Sequence, residues 1–145
     1  MIVLDTNVVS EGTKPSPSET VLNWLDAQIA SELFTTAITV AELLYGVEAL
    51  APGKRRASLL ATVEKMFGQQ FPGRILPFDE EAARSYAAIV ASRNAAGRPI
   101  SEFDAMIAAI ARTHRATVAT RNIGDFEHCG LRLIDPWKYR DPLRA

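Results

Sequence analysis

The chain begins with an uninterrupted apolar run, Met1-Ile2-Val3-Leu4, that stops at Asp5-Thr6-Asn7. An apolar run without alternation suits a parallel strand covered on both faces. Polar residues at its carboxyl end stand where open α/β sheets collect their ligands. A loop with Pro15 and Pro17 follows. Ser16-Pro17-Ser18-Glu19 then reads as a helix start, with an N-cap serine, proline at the first helical position and a capping-box glutamate. Val21, Leu22, Trp24, Leu25 and Ile29 continue it at helical spacing. Leu33-Phe34-Thr35-Thr36-Ala37 is β-rich and reads as the second strand. Thr39 opens the next helix, striped by Leu43, Leu44, Val47 and Leu50 and ended by Pro52-Gly53.

A further helix is expected from about Lys54 to Gln69. Arg74-Ile75-Leu76-Pro77-Phe78 reads as a short strand that Pro77 confines to an edge. Asp79 caps a long helix through Tyr86, Ile89 and Val90, stopping at Gly97. After Pro99 and Ser101, the residues Phe103, Met106, Ile107, Ile110 and Ala111 make a nearly wholly apolar helix, as expected for one buried in mid-fold. Ala116-Thr117-Val118-Ala119-Thr120 is another buried strand with a polar end, and Leu131-Arg132-Leu133-Ile134 alternates as a last edge strand. Strands alternating with helices predict one α/β domain over residues 1–145, a three-layer α/β/α sandwich around a central, mostly parallel sheet.

Composition narrows the class. At 145 residues the chain suits one domain with a real core, and 48% hydrophobic with 23% charged residues is ordinary for a soluble globular protein. No apolar run approaches the roughly 20 residues that span a bilayer, and no basic stretch precedes a long apolar one at the start, so neither a membrane span nor a signal peptide is expected. The single cysteine, Cys129, excludes an internal disulfide framework and a cysteine-rich zinc site. Both features fit the cytoplasm. A net charge of −1 carries no whole-chain basicity, so a nucleic-acid site would need a local basic surface or metal ions.

Four acids fall at strand ends or helix starts: Asp5, Glu42, Asp104 and Asp125. In a parallel sheet these positions share one edge, so acids distant in sequence can meet. Each has an ordinary explanation. Thr39-Val40-Ala41-Glu42 and Ser101-Glu102-Phe103-Asp104 have capping-box spacing, Asn122-Ile123-Gly124-Asp125 suits a turn with an Asx cap, and Asp5 can cap the segment after it. Together these explanations cover less. Asp104 lies in an apolar face, where an unpaired ionised acid is costly, and Asp5 directly follows a buried strand. Clustered carboxylates repel and need an ion, a proton or a basic partner. Hard oxygen donors without a suitable His or Cys set suit Mg²⁺ or Mn²⁺.

An ordered set of motifs carries a resemblance. Ile2-Val3-Leu4-Asp5-Thr6-Asn7 comes first, then Ile38-Thr39-Val40-Ala41-Glu42-Leu43-Leu44-Tyr45-Gly46-Val47. Gly97-Arg98-Pro99-Ile100-Ser101, Asp104-Ala105-Met106-Ile107-Ala108-Ala109, Thr120-Arg121-Asn122, Asp125-Phe126 and Ile134-Asp135-Pro136-Trp137 follow. In this order they resemble the PIN-domain ribonucleases, specifically the VapC-type toxins of bacterial toxin–antitoxin pairs, including the FitB-like branch. The resemblance implies a PIN-like fold, RNA cleavage leaving a 5′-phosphate, and Asp5, Glu42 and Asp104 as the core metal-binding acids. Many members of that family carry an acid two residues after the threonine matching Thr120. Here that residue is Asn122, which leaves two candidates for the fourth position: Asn122 through its carbonyl, or Asp125 through water.

On this reading Asp5 and Asp104 hold the main Mg²⁺, and Glu42 binds through water or helps deprotonate the nucleophile. Thr6, Asn7, Ser101 and Thr120 orient the carboxylates. Arg98, Arg112, Arg115 and Arg121 are candidates for a cationic track to RNA phosphates. Lys54-Arg55-Arg56 is a second basic run that also reads as a solvated helix start. Tyr45 is either a stacking or a core residue. His114 and His128 are not required by metal-assisted hydrolysis, and Cys129 reads as a packed bystander. The resemblance further implies a VapB- or FitA-like antitoxin that binds DNA and sends a tail across the toxin's groove, and a homodimer. Two rival readings remain. A haloacid-dehalogenase-like phosphatase also starts with an acid after strand one but needs a second Asp where this chain has Asn7. A non-catalytic binding module would use its acids only as caps and ion-pair partners.

Overall fold

The first strand, β1 (Ile2–Leu4), lies at the centre of the sheet, as its unbroken apolar run requires. The computed structural model describes residues 1–144. From β1 the chain turns directly into α1 (Thr6–Glu11), then α2 (Glu19–Asp26), β2 (Leu33–Thr36), α3 (Ala37–Glu48) and α4 (Lys54–Gln70). The second half runs β3 (Ile75–Leu76), α5 (Glu80–Ala95), α6 (Glu102–Thr113), β4 (Thr117–Ala119), α7 (Ile123–Phe126) and β5 (Leu133–Ile134). The strands are all parallel, in the order β3-β2-β1-β4-β5. Ile2 pairs with both Leu33 and Thr117, which brings the carboxyl ends of β1, β2 and β4 level with one another.

Neighbouring residues on a strand point to opposite faces, and each face has its own core. Val3 and Val118 pack with Ile89, Ile107, Ile110 and Phe126 on one side. Leu4 and Ala119 pack with Val8, Trp24, Val47, Val63 and Phe67 on the other. The expected three-layer architecture is therefore present, with β3 and β5 at the edges as Pro77 and the alternating 131–134 segment indicated.

Several boundaries differ from the sequence expectation, each for a local reason. Asp5 does not sit in a strand that continues to Asn7. It is the N-cap of α1, a helix not anticipated from the sequence. The N-cap of α2 is Ser18 and not Ser16, because Ser18 is extended and its hydroxyl accepts the Val21 N–H, while Pro17 stays outside the helix. The N-cap of α3 is Thr36 and not Thr39. The Thr36 hydroxyl accepts the Thr39 N–H at 3.1 Å, so Glu42 lies deep in the helix and is no capping-box residue. The N-caps Asp79 and Ser101 are as expected. The middle of α6 is buried on every side, from Ile107 to Ala111, as its apolar sequence indicated, while its first turn is open and Phe103 is 51% exposed. Residues 123–126 form a short helix where a turn was expected, and the Asn122 side chain makes no capping bond. Among the described residues no helix is long and apolar enough to cross a membrane.

Candidate active site

Where β1 ends, Asp5 is held from two sides. Its Oδ1 accepts the Thr6 N–H at 2.7 Å and its Oδ2 accepts the Thr120 hydroxyl at 2.8 Å. The side chain is buried, at 4% exposure, yet it has no ion-pair partner among the described residues. Burial pushes its carboxyl up to about 6. The bonds from Thr120 and Thr6 oppose that rise, and the nearby charges of Asp104 and Glu42 add to it.

Glu42 reaches the same place from α3. Its Oε1 accepts the Thr6 hydroxyl at 2.8 Å, and that hydroxyl lies 3.0 Å from the Thr39 hydroxyl. Partial burial raises its carboxyl above the usual range, and Asp104 raises it further. Asp104 arrives in the first turn of α6, whose start Ser101 fixes by accepting the Asp104 N–H. Burial raises Asp104 too. A hydrogen bond with Ser101 lowers it, the Asp125 charge raises it and the Arg93 charge lowers it.

These three acids line one depression of about 290 Å³ with Thr6, Asn7, Ser10 and Asn122. Thr120, fully buried, ties its wall together. Besides its bond to Asp5 it accepts the Asn122 N–H at 3.0 Å and lies 3.4 Å from the Asn7 amide nitrogen. Asn7 in turn accepts the Arg121 N–H. Of the two fourth-position candidates, Asn122 lines the depression, while Asp125 is exposed, lies outside the lining and acts on Asp104 through its charge. Ser10 was not singled out from the sequence, since nothing marked 6–11 as a helix that would turn it inward. Neither was Arg93.

The expected cationic track is only partly assembled. The Arg121 guanidinium lies 5.1 Å from the centre of the Trp137 ring, and its backbone is bonded to Asn7 at the rim. Arg98 pairs with Glu127 at 3.6 Å. Arg112 and Arg115 do not belong to this edge. With Met1, Thr117 and Arg132 they border a separate depression of about 510 Å³, where β1 and β4 begin. From the 54–56 run, Arg56 pairs with Glu48. Tyr45 is 75% exposed and so not core. His114 and His128 are exposed and line no part of the acidic depression. Cys129 is buried, and burial pushes its thiol up, as fits a bystander.

The donor set is carboxylate, amide and hydroxyl oxygen, without imidazole or thiolate, which suits a hard divalent cation. Asp104 raises the proton affinity of both Asp5 and Glu42, and Glu42 raises that of Asp5, so a cation would relieve the cluster. Among the described residues no three His, Cys, Asp or Glu side chains stand close enough to grip an ion together as they are. Glu42 is bonded to Thr6, so gripping an ion needs side-chain rearrangement.

Residues 2–129 match the PIN domain model, and the chain belongs to the PIN-domain family. Within it the chain is of the VapC/FitB type. It is 46% identical over 138 residues to the VapC ribonuclease Y4jK of Sinorhizobium fredii, covering 95% of this chain and 99% of that one. It is 44% identical over 137 residues to the toxin FitB of Neisseria gonorrhoeae, covering 94% and 99%. Among solved structures, FitAB bound to an IR36 DNA fragment superposes with a TM-score of 0.89 at 42% identity, covering 98% of this chain and 99% of the other.

Proposed function

We propose that this chain is a Mg²⁺-dependent endoribonuclease, able to use Mn²⁺, that serves as the toxin of a toxin–antitoxin pair. The observation that carries the reading is the convergence of Asp5, Glu42 and Asp104, from three separate elements, on one depression in which none of them has an ion-pair partner among the described residues. Family membership and the ribonuclease and toxin relatives support the same conclusion.

Asp5 and Asp104 would hold the ion, with Glu42 binding it through water or taking the proton from the attacking water. When bound, the ion supplies Lewis acidity to the scissile phosphate and a readily ionised water at neutral pH. Thr6 and Thr120 fix the rotamers of the acids they bond to, Ser101 sets the start of α6 and hence Asp104, and Asn7 steadies Thr120 and the Arg121 backbone. Asn122 offers an amide oxygen at the fourth position, with Asp125 acting at longer range. Arg121, steadied by Trp137, contacts an RNA phosphate, and Arg98 contributes once released from Glu127.

The partner is a VapB- or FitA-like antitoxin that carries the DNA-binding end of the complex, as the FitAB and VapBC assemblies among the structural neighbours support. The working form is a homodimer in the cytoplasm. The phosphatase reading is disfavoured, because the position that would need a second Asp is Asn7, whose amide is bonded within the wall of the site.

The test uses purified protein freed of its antitoxin, a structured RNA, and Mg²⁺, Mn²⁺ or EDTA. Cleavage with either ion and none in EDTA is the expected result. No cleavage with either ion overturns the proposal, and release of phosphate from p-nitrophenyl phosphate would return the phosphatase reading.

A further inference from the structure

Arg93 lies near the end of α5, in a helix whose other charges face solvent, yet it is only 5% exposed and pairs with no carboxylate among the described residues. A buried guanidinium needs its donors met. Here they are met by main-chain carbonyls from two separate segments. Nε donates to the Arg98 carbonyl at 2.6 Å and Nη2 to the Pro99 carbonyl at 3.4 Å. Nη1 points the other way, to the carbonyls of Glu127 at 2.5 Å, Asp125 at 3.4 Å and Gly124 at 3.5 Å.

Each segment leads into the acidic depression. The first runs straight into Ser101, the N-cap that starts α6 and so sets Asp104. The second comprises the carbonyls of Gly124 and Asp125 in α7 and of Glu127, its C-cap, which have no intrahelical partner. That helix begins beside Asn122, which lines the depression, and carries Asp125. The planar fork of arginine suits such a two-sided grip, because its donors diverge in one plane with fixed angles. A lysine ammonium in the same place has the charge but cannot reach both segments at once. Burial adds rigidity, since letting go of either segment would leave donors unsatisfied away from water.

We propose that Arg93 is a positioning residue that clamps the segment before α6 to the end of α7, and so fixes the spacing between Asp104 and the Asn122–Asp125 side of the metal site. This rests on the metal-dependent reading above and adds a residue outside the acid set. Partners that orient metal ligands from behind typically change metal affinity 10–100-fold when removed, and Arg93 acts on ligand-bearing segments in the same manner.

The experiment compares wild type, Arg93→Met and Arg93→Lys at a temperature where all three are folded by circular dichroism. Mn²⁺ titration calorimetry reads affinity directly. Both variants are expected to bind Mn²⁺ at least about tenfold more weakly, with kcat for RNA cleavage falling and KM within about threefold. Amide hydrogen exchange is expected to quicken in residues 97–101 and 122–127 together. If Arg93→Met melts lower but binds Mn²⁺ as wild type does, the residue is merely structural and the proposal falls. Wild-type affinity in Arg93→Lys would mean that charge alone matters, and the clamp falls too. If Arg93→Met does not fold, Arg93→Lys, which keeps the buried charge, decides alone. Absence of Mn²⁺ binding in wild type would sink the metal-dependent reading instead. The exchange comparison would still test the clamp, and unchanged exchange in either segment would overturn it.

Discussion

Helix α1 has a buried carboxylate at each end, and the two are treated in opposite ways. Asp5, before its first turn, and Glu11, its last residue, are each 4% exposed. Glu11 is given partners that favour its charge: the Lys14 ammonium at 2.7 Å and the Ser18 N–H at 2.9 Å. The Lys14 bond, first among the causes, holds Glu11 below the usual carboxylate range. Asp5 receives hydroxyl and amide bonds but no cation, and it faces two further acids, so burial wins and its carboxyl rises to about 6. Glu11 fastens the loop from Lys14 to Ser18. Asp5 is left with charge that the protein does not itself neutralise. Two carboxylates equally shielded from solvent, one beside a cation near the surface and one deeper and next to two further acids, thus separate a structural role from the candidate active site.

The comparison is broken most sharply by removing each acid in turn. Asp5→Asn is expected to lower metal-dependent RNA cleavage by at least about a hundredfold, the scale on which lost transition-state charge stabilisation is felt. Glu11→Gln is expected to leave the rate per folded molecule within about threefold. Initial rates at saturating Mn²⁺, normalised to folded protein, decide it. Comparable losses in both variants would erase the distinction.

Next in size is the pH dependence of stability in EDTA. Asp5 has a folded pKa of about 6 against an ordinary value of 3.8, so folding favours its protonated form. Its contribution is fully present below about pH 4 and is lost as pH rises through 6. The window spans about two units, on the order of 3 kcal/mol as an upper figure. Urea unfolding from pH 4 to 7 should show that decline, and Asp5→Asn should flatten it. A decline of equal size in the variant would assign it to other groups.

Glu11 predicts the reverse sign. Its folded pKa is lowered, so its contribution exists above the unfolded value and disappears as pH falls through the folded one. Glu11→Gln should cost about 1–2 kcal/mol at pH 7, from weakened charge-assisted bonds to Lys14 and Ser18. The difference from wild type should vanish in acid. A difference that persists at pH 3 would mean that packing, and not charge, is what Glu11 supplies.

How much of this was legible in the sequence follows from what each feature depends on. The strands were readable because parallel strands covered on both faces leave unbroken apolar runs, as at Met1–Leu4 and Ala116–Ala119. Asp5 and Asp104 were readable because strand ends and helix starts share an edge, whereas Glu42, six residues into α3, was legible only through the resemblance of its motif. Helix α1 was not, since Val8 and Val9 extend the β-branched apolar pattern of β1 into the helix. The choice between Thr36 and Thr39 as cap turned on where β2 stops, and its pairing with β3 through Thr35 and Thr36 is non-local. Arg112 was misplaced for a geometric reason. It lies eight residues beyond Asp104 on α6, so at 1.5 Å per residue it is carried about 12 Å down the axis, away from the acidic edge. Arg93 reads as one more charged residue on a surface helix, and only carbonyls up to 34 residues away reveal it as buried.

The smallest expected effect concerns Asp104, intermediate between the two ends of α1. It is half-buried, so solvent screens part of its repulsion with Asp5 and Glu42, and the Arg93 charge offsets part of the rest. Asp104→Asn removes one like charge from the cluster while an amide still fits the first turn of α6. In EDTA at pH 7.5 the variant should therefore melt higher than wild type, by about 1–3 °C for a chain of this size. With excess Mn²⁺ the order should reverse, because only wild type gains the full binding stabilisation. Scanning calorimetry in both buffers separates the two states of the site. A variant that melts lower than wild type in EDTA would mean that Asp104 is held as Glu11 is, by partners that favour its charge, and the cluster would carry no repulsion for a metal to relieve.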